Sequence, residues 1–212
     1  MDEMGPQESD PMTRLLGMFF IRLAILYALV LAPWPGWRES YGDYFRALGN
    51  LVYGHHGGTW TAYLEPCLRT KGFASMDSQI VLYENKAIDR DGNVRVYLLG
   101  IDSRSIGWLP TGLALALIAA LSLIVYQRVF AILLAFLAMQ VYVLAVIGIY
   151  LLNRAPKAGI ISVPGWMASL SDALEWTFVT QMGPGFVIPI LIAIGCVIVA
   201  GGKRALAALA NR

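Results

Sequence analysis

VFAILLAFLAMQVYVLAVIGIYLL, from Val129 to Leu152, is an apolar run without a single charged residue. The hydrocarbon layer of a bilayer is about 30 Å thick and takes about 20 helical residues to cross, so this run is long enough to span it. GWLPTGLALALIAALSLIVY, from Gly107 to Tyr126, is a second such run, and only Gln127 and Arg128 lie between the two. The pair reads as a tight antiparallel hairpin. LLGMFFIRLAILYALVLAP (Leu15–Pro33) comes before them. A signal peptide has the same apolar core, but the preceding MDEMGPQESDPMTR is acidic rather than basic, so the run reads as a retained anchor. Phe186–Gly202 follows the hairpin, with Pro189 in its first turn, where a missing N–H costs least.

The whole composition agrees with that reading. The 212 residues are 58% hydrophobic and 14% charged, too little polar surface to enclose the apolar content, so the lipid bilayer is the expected partner. The net charge of +2 is spread along the chain without a basic run, which excludes strong nucleic-acid binding by counterion release. The expected fold is mainly α: an integral membrane bundle of four transmembrane helices (15–33, 107–126, 129–152 and 186–202) carrying a small outer β-hairpin or sheet and two interfacial amphipathic helices. Lys and Arg in the short connections weigh Arg14, Arg128, Lys203, Arg204 and Arg212 against Arg154 and Lys157. Positive residues stay inside, which places the tails 1–14 and 203–212 in the cytoplasm and segments 34–106 and 153–185 outside, in the periplasm of a Gram-negative cell. Trp34, Trp37, Trp108, Trp166 and Trp176 then all fall at the outer headgroup layer.

In the longer outer segment, Tyr41, Tyr44, Phe45, Leu48, Leu51 and Val52 recur at helical spacing, with Glu39, Asp43, Arg46 and Asn50 as the polar face. Two placements fit: on the membrane surface, or packed onto the outer domain. SQIVLYEN (Ser78–Asn85) and NVRVYLLGID (Asn93–Asp102) are β-like runs, and Asp91-Gly92 between them signals a hairpin turn. Two strands alone are marginal in water, so the hairpin needs either a third strand, from Thr59 to Leu68, or a partner surface. Val163, Trp166, Met167, Leu170, Leu174 and Phe178 mark a second interfacial or re-entrant helix on the outer face.

Residues with chemistry are few. Cys67 and Cys196 lie in a loop and an apolar run, so no disulfide is expected, and the adjacent His55 and His56 have no carboxylate or cysteine at metal-ligand spacing. No cofactor is expected. Arg22, inside the first span, and Gln140, at similar depth in the third, suggest an intramembrane tie. Ser103, Arg104 and Trp108 stand at the outer boundary, where they anchor the chain or contact lipid or a partner, as do Trp166 and Trp176. The alternative to a non-enzymatic role is a site joining Cys67, a histidine from His55 or His56, and Arg104.

IDSRSIGWLPTGL (Ile101–Leu113) resembles a junction in small exosortase-associated bacterial membrane proteins. LYALVLAPWPGWRESYGDYFRALGNLVYG (Leu26–Gly54) and GPGFVIPILI (Gly183–Ile192) extend the resemblance to about a third of the chain. Exosortases are multi-spanning enzymes that use a cysteine with basic partners near the outer interface, and this chain has no cysteine in such a setting. The resemblance therefore implies an accessory subunit at the outer face of the inner membrane, with a membrane or envelope protein as partner.

Overall fold

The computed structural model describes residues 11–32, 34–54, 60–67, 76–88, 94–157, 159, 162–176 and 183–210. Helix α1 (Pro11–Leu31) leads to α2 (Trp37–Tyr53) and strands β1 (Trp60–Pro66), β2 (Ser78–Ile88) and β3 (Val94–Ile101). A π-helical turn (Arg104–Trp108) then runs into α3 (Leu109–Ala120), followed by α4 (Val125–Lys157), α5 (Gly165–Leu174) and α6 (Gly183–Ala210). The strands form one antiparallel sheet in the order β1-β2-β3, so the expected hairpin and third strand are both present. The Asp91-Gly92 turn, His55 and His56 lie outside the described residues.

The expected four-span bundle is corrected. Two helices are long and apolar enough to cross a membrane, Met12–Leu31 and Val125–Lys157. None of the first is fully buried, although Val30 near its end packs against Gly112 of α3. Helix α3 has only 12 residues, about 18 Å of rise, and the apolar part of α6, Phe186–Gly201, is also shorter than a full crossing. Both pack beside the longer helices: α3 against α1, α4 and α6, and α6 against α4.

The expected hairpin turn at Gln127 and Arg128 lies elsewhere, because α3 ends at Ala120 and Leu121 turns extended. Gln127 and Arg128 instead belong to the first turn of α4. The Arg128 guanidinium folds back and donates to the carbonyls of Leu121 and Leu123, each at 3.1 Å. It thereby satisfies connection carbonyls that lie between two apolar helices. Arg128→Ala removes both bonds and is expected to cost about 1–3 kcal/mol, seen as a lower thermal midpoint in detergent; an unchanged midpoint would contradict this role.

Helix α4, with 33 residues and a rise of about 50 Å, belongs to two cores. Its first half puts Ala131 and Ala135 against Ile118 of α3 and Ala193 and Cys196 of α6. Its second half puts Val143, Val146, Ile147, Leu151 and Ala155 among Phe45, Ala62, Leu64, Ile80, Leu82 and Ile101 of α2 and the sheet. The apolar run at 129–152 is therefore continuous for two reasons. Where it leaves the helical cluster it becomes the buried side of a sheet module, the layer arrangement that covers the apolar face of a sheet with a helix.

Helix α2 takes the second of its two expected placements. Phe45 is 1% exposed against the sheet, and Gly49 sits so close to β1 that an added Cβ would come 2.8 Å from Leu64 Cδ2. Two residues of the expected solvent face turn inward. The Asn50 side-chain amide accepts from Leu64 N at 2.7 Å and donates to Leu64 O at 2.8 Å, completing the outer edge of β1 as a neighbouring strand would. Arg46 donates to Asp77 O at 3.2 Å and to Ser78 Oγ at 3.1 Å, tying α2 to the start of β2.

Arg154 and Lys157, expected in a loop, are on the last turns of α4 and hold α5. Arg154 pairs with Glu175 at 3.0 Å. Asp172 accepts from Lys157 at 2.8 Å and from Asn153 at 2.7 Å on one carboxylate oxygen. These two bonds, first Lys157 and then Asn153, hold the Asp172 pKa below its ordinary 3.8. A depressed carboxylate stabilises the fold above its unfolded pKa and loses that contribution as the pH falls through the folded value. Protection of α5 amides, corrected for intrinsic exchange, is therefore expected to drop below about pH 4, and Asp172→Asn to abolish that dependence.

Candidate functional site

Where α1 ends, its last carbonyls have no partners within the helix. Three side chains from beyond the helix supply them. Trp34 Nε1 donates to Leu29 O at 2.9 Å, Trp108 Nε1 to Val30 O at 3.0 Å and Arg104 Nη2 to Leu31 O at 3.1 Å. Indole and guanidinium groups suit this place because each pairs a donor with a broad apolar face, and the positive charge of Arg104 complements the negative end of the helix dipole.

The same residues wall a cleft of about 220 Å³ lined by Val30, Ala32, Trp34, Trp37, Arg38, Tyr41, Ser103, Arg104 and Trp108. Trp37 packs edge-on against Trp108 with ring centroids 4.6 Å apart, and Tyr41 lies 5.5 Å from Trp108. The cleft thus brings together the expected boundary group Ser103, Arg104 and Trp108, and adds Arg38, Tyr41, Trp34 and Trp37. Trp34 and Trp37 are legible in the sequence as boundary residues, but their union with Trp108 depends on the chain returning through the sheet.

Asp77 fixes this arrangement from behind. Its carboxylate accepts the backbone N–H of Ser103 at 2.8 Å through Oδ1 and the Ser103 hydroxyl through Oδ2. Ser103 is 2% exposed and immediately precedes the π-helical turn, so Asp77 joins the start of β2 to the floor of the cleft. Asp102 is occupied similarly, its Oδ1 accepting the Arg104 backbone N–H at 3.1 Å. Gly107 leaves room for the Tyr41 ring, whose hydroxyl occupies the space a side chain there would take. The Tyr41 hydroxyl is buried, and burial together with nearby Tyr44 and Asp77 raises its pKa far above the ordinary tyrosine value, so it stays protonated.

The other expected residues lie apart from the cleft or take other partners. Arg22 approaches Ser122 Oγ at 3.5 Å, and Gln140 accepts from the Tyr44 hydroxyl at 3.1 Å and donates to Phe136 O at 3.4 Å. The expected tie between Arg22 and Gln140 is not formed; Gln140 instead joins α4 to α2. Trp166 and Trp176 are exposed, on α5 and just beyond it. Cys67 immediately follows β1, with its N–H on Asp77 O at 3.1 Å, and burial and then the Asp77 charge push its thiol pKa up. Both effects disfavour the thiolate that a nucleophile needs.

No family model, no curated protein and no solved structure matches the chain.

Proposed function

We propose that the chain is a non-enzymatic accessory or assembly subunit of the bacterial inner membrane, with the N-terminus cytoplasmic, α1 and the first part of α4 in the bilayer and the sheet module at its outer face. The observation that carries this reading is the sharing of α4 between two cores, with Ala131 and Ala135 in one and Val143, Val146 and Ile147 in the other. A module built on a continuation of its own anchor is held at fixed height and orientation, which suits docking of a partner beside the membrane. The sheet offers a surface for it. β3 is an edge strand whose Val96, Tyr97 and Leu98 are exposed, and such an edge accepts a strand from a partner. The resemblance of Ile101–Leu113 suggests a membrane peptidase of the exosortase kind, or its substrate, as that partner.

Purification from the native host in mild detergent tests the reading. A stoichiometric membrane peptidase or envelope-assembly protein is expected to co-elute, and to be lost in Tyr97→Asp while the chain remains at normal membrane levels. Recovery of the chain alone with lipid would contradict the proposal.

A further inference from the structure

We infer that the cleft at the end of α1 binds the phosphate group of an anionic membrane phospholipid. Arg38 and Arg104 line one cleft of about 220 Å³, and Trp34, Trp37 and Trp108 form its walls. Arg104 spends one N–H on Leu31 O and is held by it; its other guanidinium donors have no partner among the described residues. A guanidinium with fixed stem and open donors is suited to phosphate oxygens, to which it offers two parallel bonds. No carboxylate among the described residues forms an ion pair with the Arg104 guanidinium: Asp77 accepts from Ser103, and Asp102 from the Arg104 backbone.

The lipid source follows from what adjoins the cleft. Leu29 and Leu31 on α1 are exposed, as are Ile21 and Ile25 further along the same helix. A phosphate seated at the arginines would have its acyl chains against this apolar surface, with the indole rings at the level of the headgroup and glycerol. The chemistry also selects against a cationic headgroup: an aromatic wall alone favours choline, but two guanidinium groups beside it repel that charge.

The inference rests on α1 lying in the bilayer, and the experiment separates the two. Detergent-purified chain is examined by native mass spectrometry with added phosphatidylglycerol, phosphatidylcholine or inorganic phosphate, using the native protein, the double variant Arg38→Gln/Arg104→Gln, and Arg154→Gln as a remote control. One phosphatidylglycerol per chain is expected to be retained in preference to phosphatidylcholine. Its binding is expected to weaken at least about tenfold in the double variant, which removes the Arg104 contacts and the positive charge of both arginines from the cleft, and to stay unchanged in Arg154→Gln. Circular dichroism and thermal unfolding of the double variant establish that it is folded. Equal binding of both lipids, or of phosphatidylglycerol by the native and double-variant proteins, would overturn the inference. Displacement by millimolar inorganic phosphate would overturn the lipid source in favour of a soluble phosphate. A chain that stays monodisperse without detergent would overturn the bilayer placement itself.

Discussion

Phe45→Ala is expected to destabilise the sheet module by about 3–5 kcal/mol, the range for removing a fully buried phenylalanine from a core that cannot collapse onto the space. Phe45 is 1% exposed and is clustered with Leu64, Ile80 and Leu82 of the sheet and Val143, Val146 and Ile147 of α4. It therefore stands where three layers of side chains meet. Gly49 one turn later has no side chain to fill the gap, and Asn50 is committed to the Leu64 backbone, so α2 cannot slide to compensate. Amide protection in β2 and in the second half of α4 is expected to fall by about two to three and a half orders of magnitude, since each 1.4 kcal/mol is a factor of ten. Protection in α1 and α3 should change little. Phe45→Leu should lose much less, because it keeps most of the buried volume. Unchanged protection in β2 would show that the sheet does not depend on α2.

Asp77→Ala is expected to cost about 2–4 kcal/mol and to loosen the cleft at the same time. The substitution leaves the N–H and hydroxyl of Ser103 without their acceptor in a place that is 2% exposed, and hydrogen bonds to a charged acceptor are worth more than neutral ones. Ser103 then no longer fixes the start of the π-helical turn, on which Arg104 and Trp108 are carried. A double-mutant cycle with Ser103→Ala separates this coupling from the general effect of losing a carboxylate: the two substitutions together should cost less than the sum of each alone. Additive costs would show that Asp77 acts through other partners. Asp77→Asn should fall between native and alanine, because its amide oxygen still accepts one bond.

The parts of this fold that local pattern determines were legible in the sequence. The β-like run at Ser78–Asn85 is the central strand of the sheet, and the apolar run of α1, interrupted only by Arg22, is a helix of spanning length. The rest depended on what each apolar residue faces, which periodicity does not record. Val143, Ile147 and Leu151 recur as they would against lipid, but a sheet covers them. The chain leaves helical geometry at Leu121 without a glycine or proline to mark the place, and Arg128 stabilises the connection through side-chain bonds to carbonyls that no spacing rule reveals. Arg46 and Asn50 read as solvent-facing because they are polar, yet both serve the backbone of the sheet.

The candidate site divides in the same way. Ser103, Arg104 and Trp108 announce themselves by composition at the entry to an apolar run, where aromatic and basic residues meet the headgroup layer. Arg38 and Tyr41 reach the cleft only because α2 packs beside the π-helical turn, and Asp77 stands behind it only because β2 begins beside the end of β3. The pairing of Ser78 with Ile101 in the sheet register is what brings Asp77 next to Ser103.

The sharing of α4 between two cores is tested most directly by the distance between spin labels at Leu133 and Leu152, both exposed and one in each half, in a chain whose Cys67 and Cys196 are replaced by serine and alanine. An unbroken helix predicts a narrow distribution for this 19-residue separation, centred near the helical rise of about 28 Å, in detergent and in lipid nanodiscs alike. A broad distribution, or a mean that shifts between the two environments, would show that the two halves move independently, and the module would then not be held in place by its anchor.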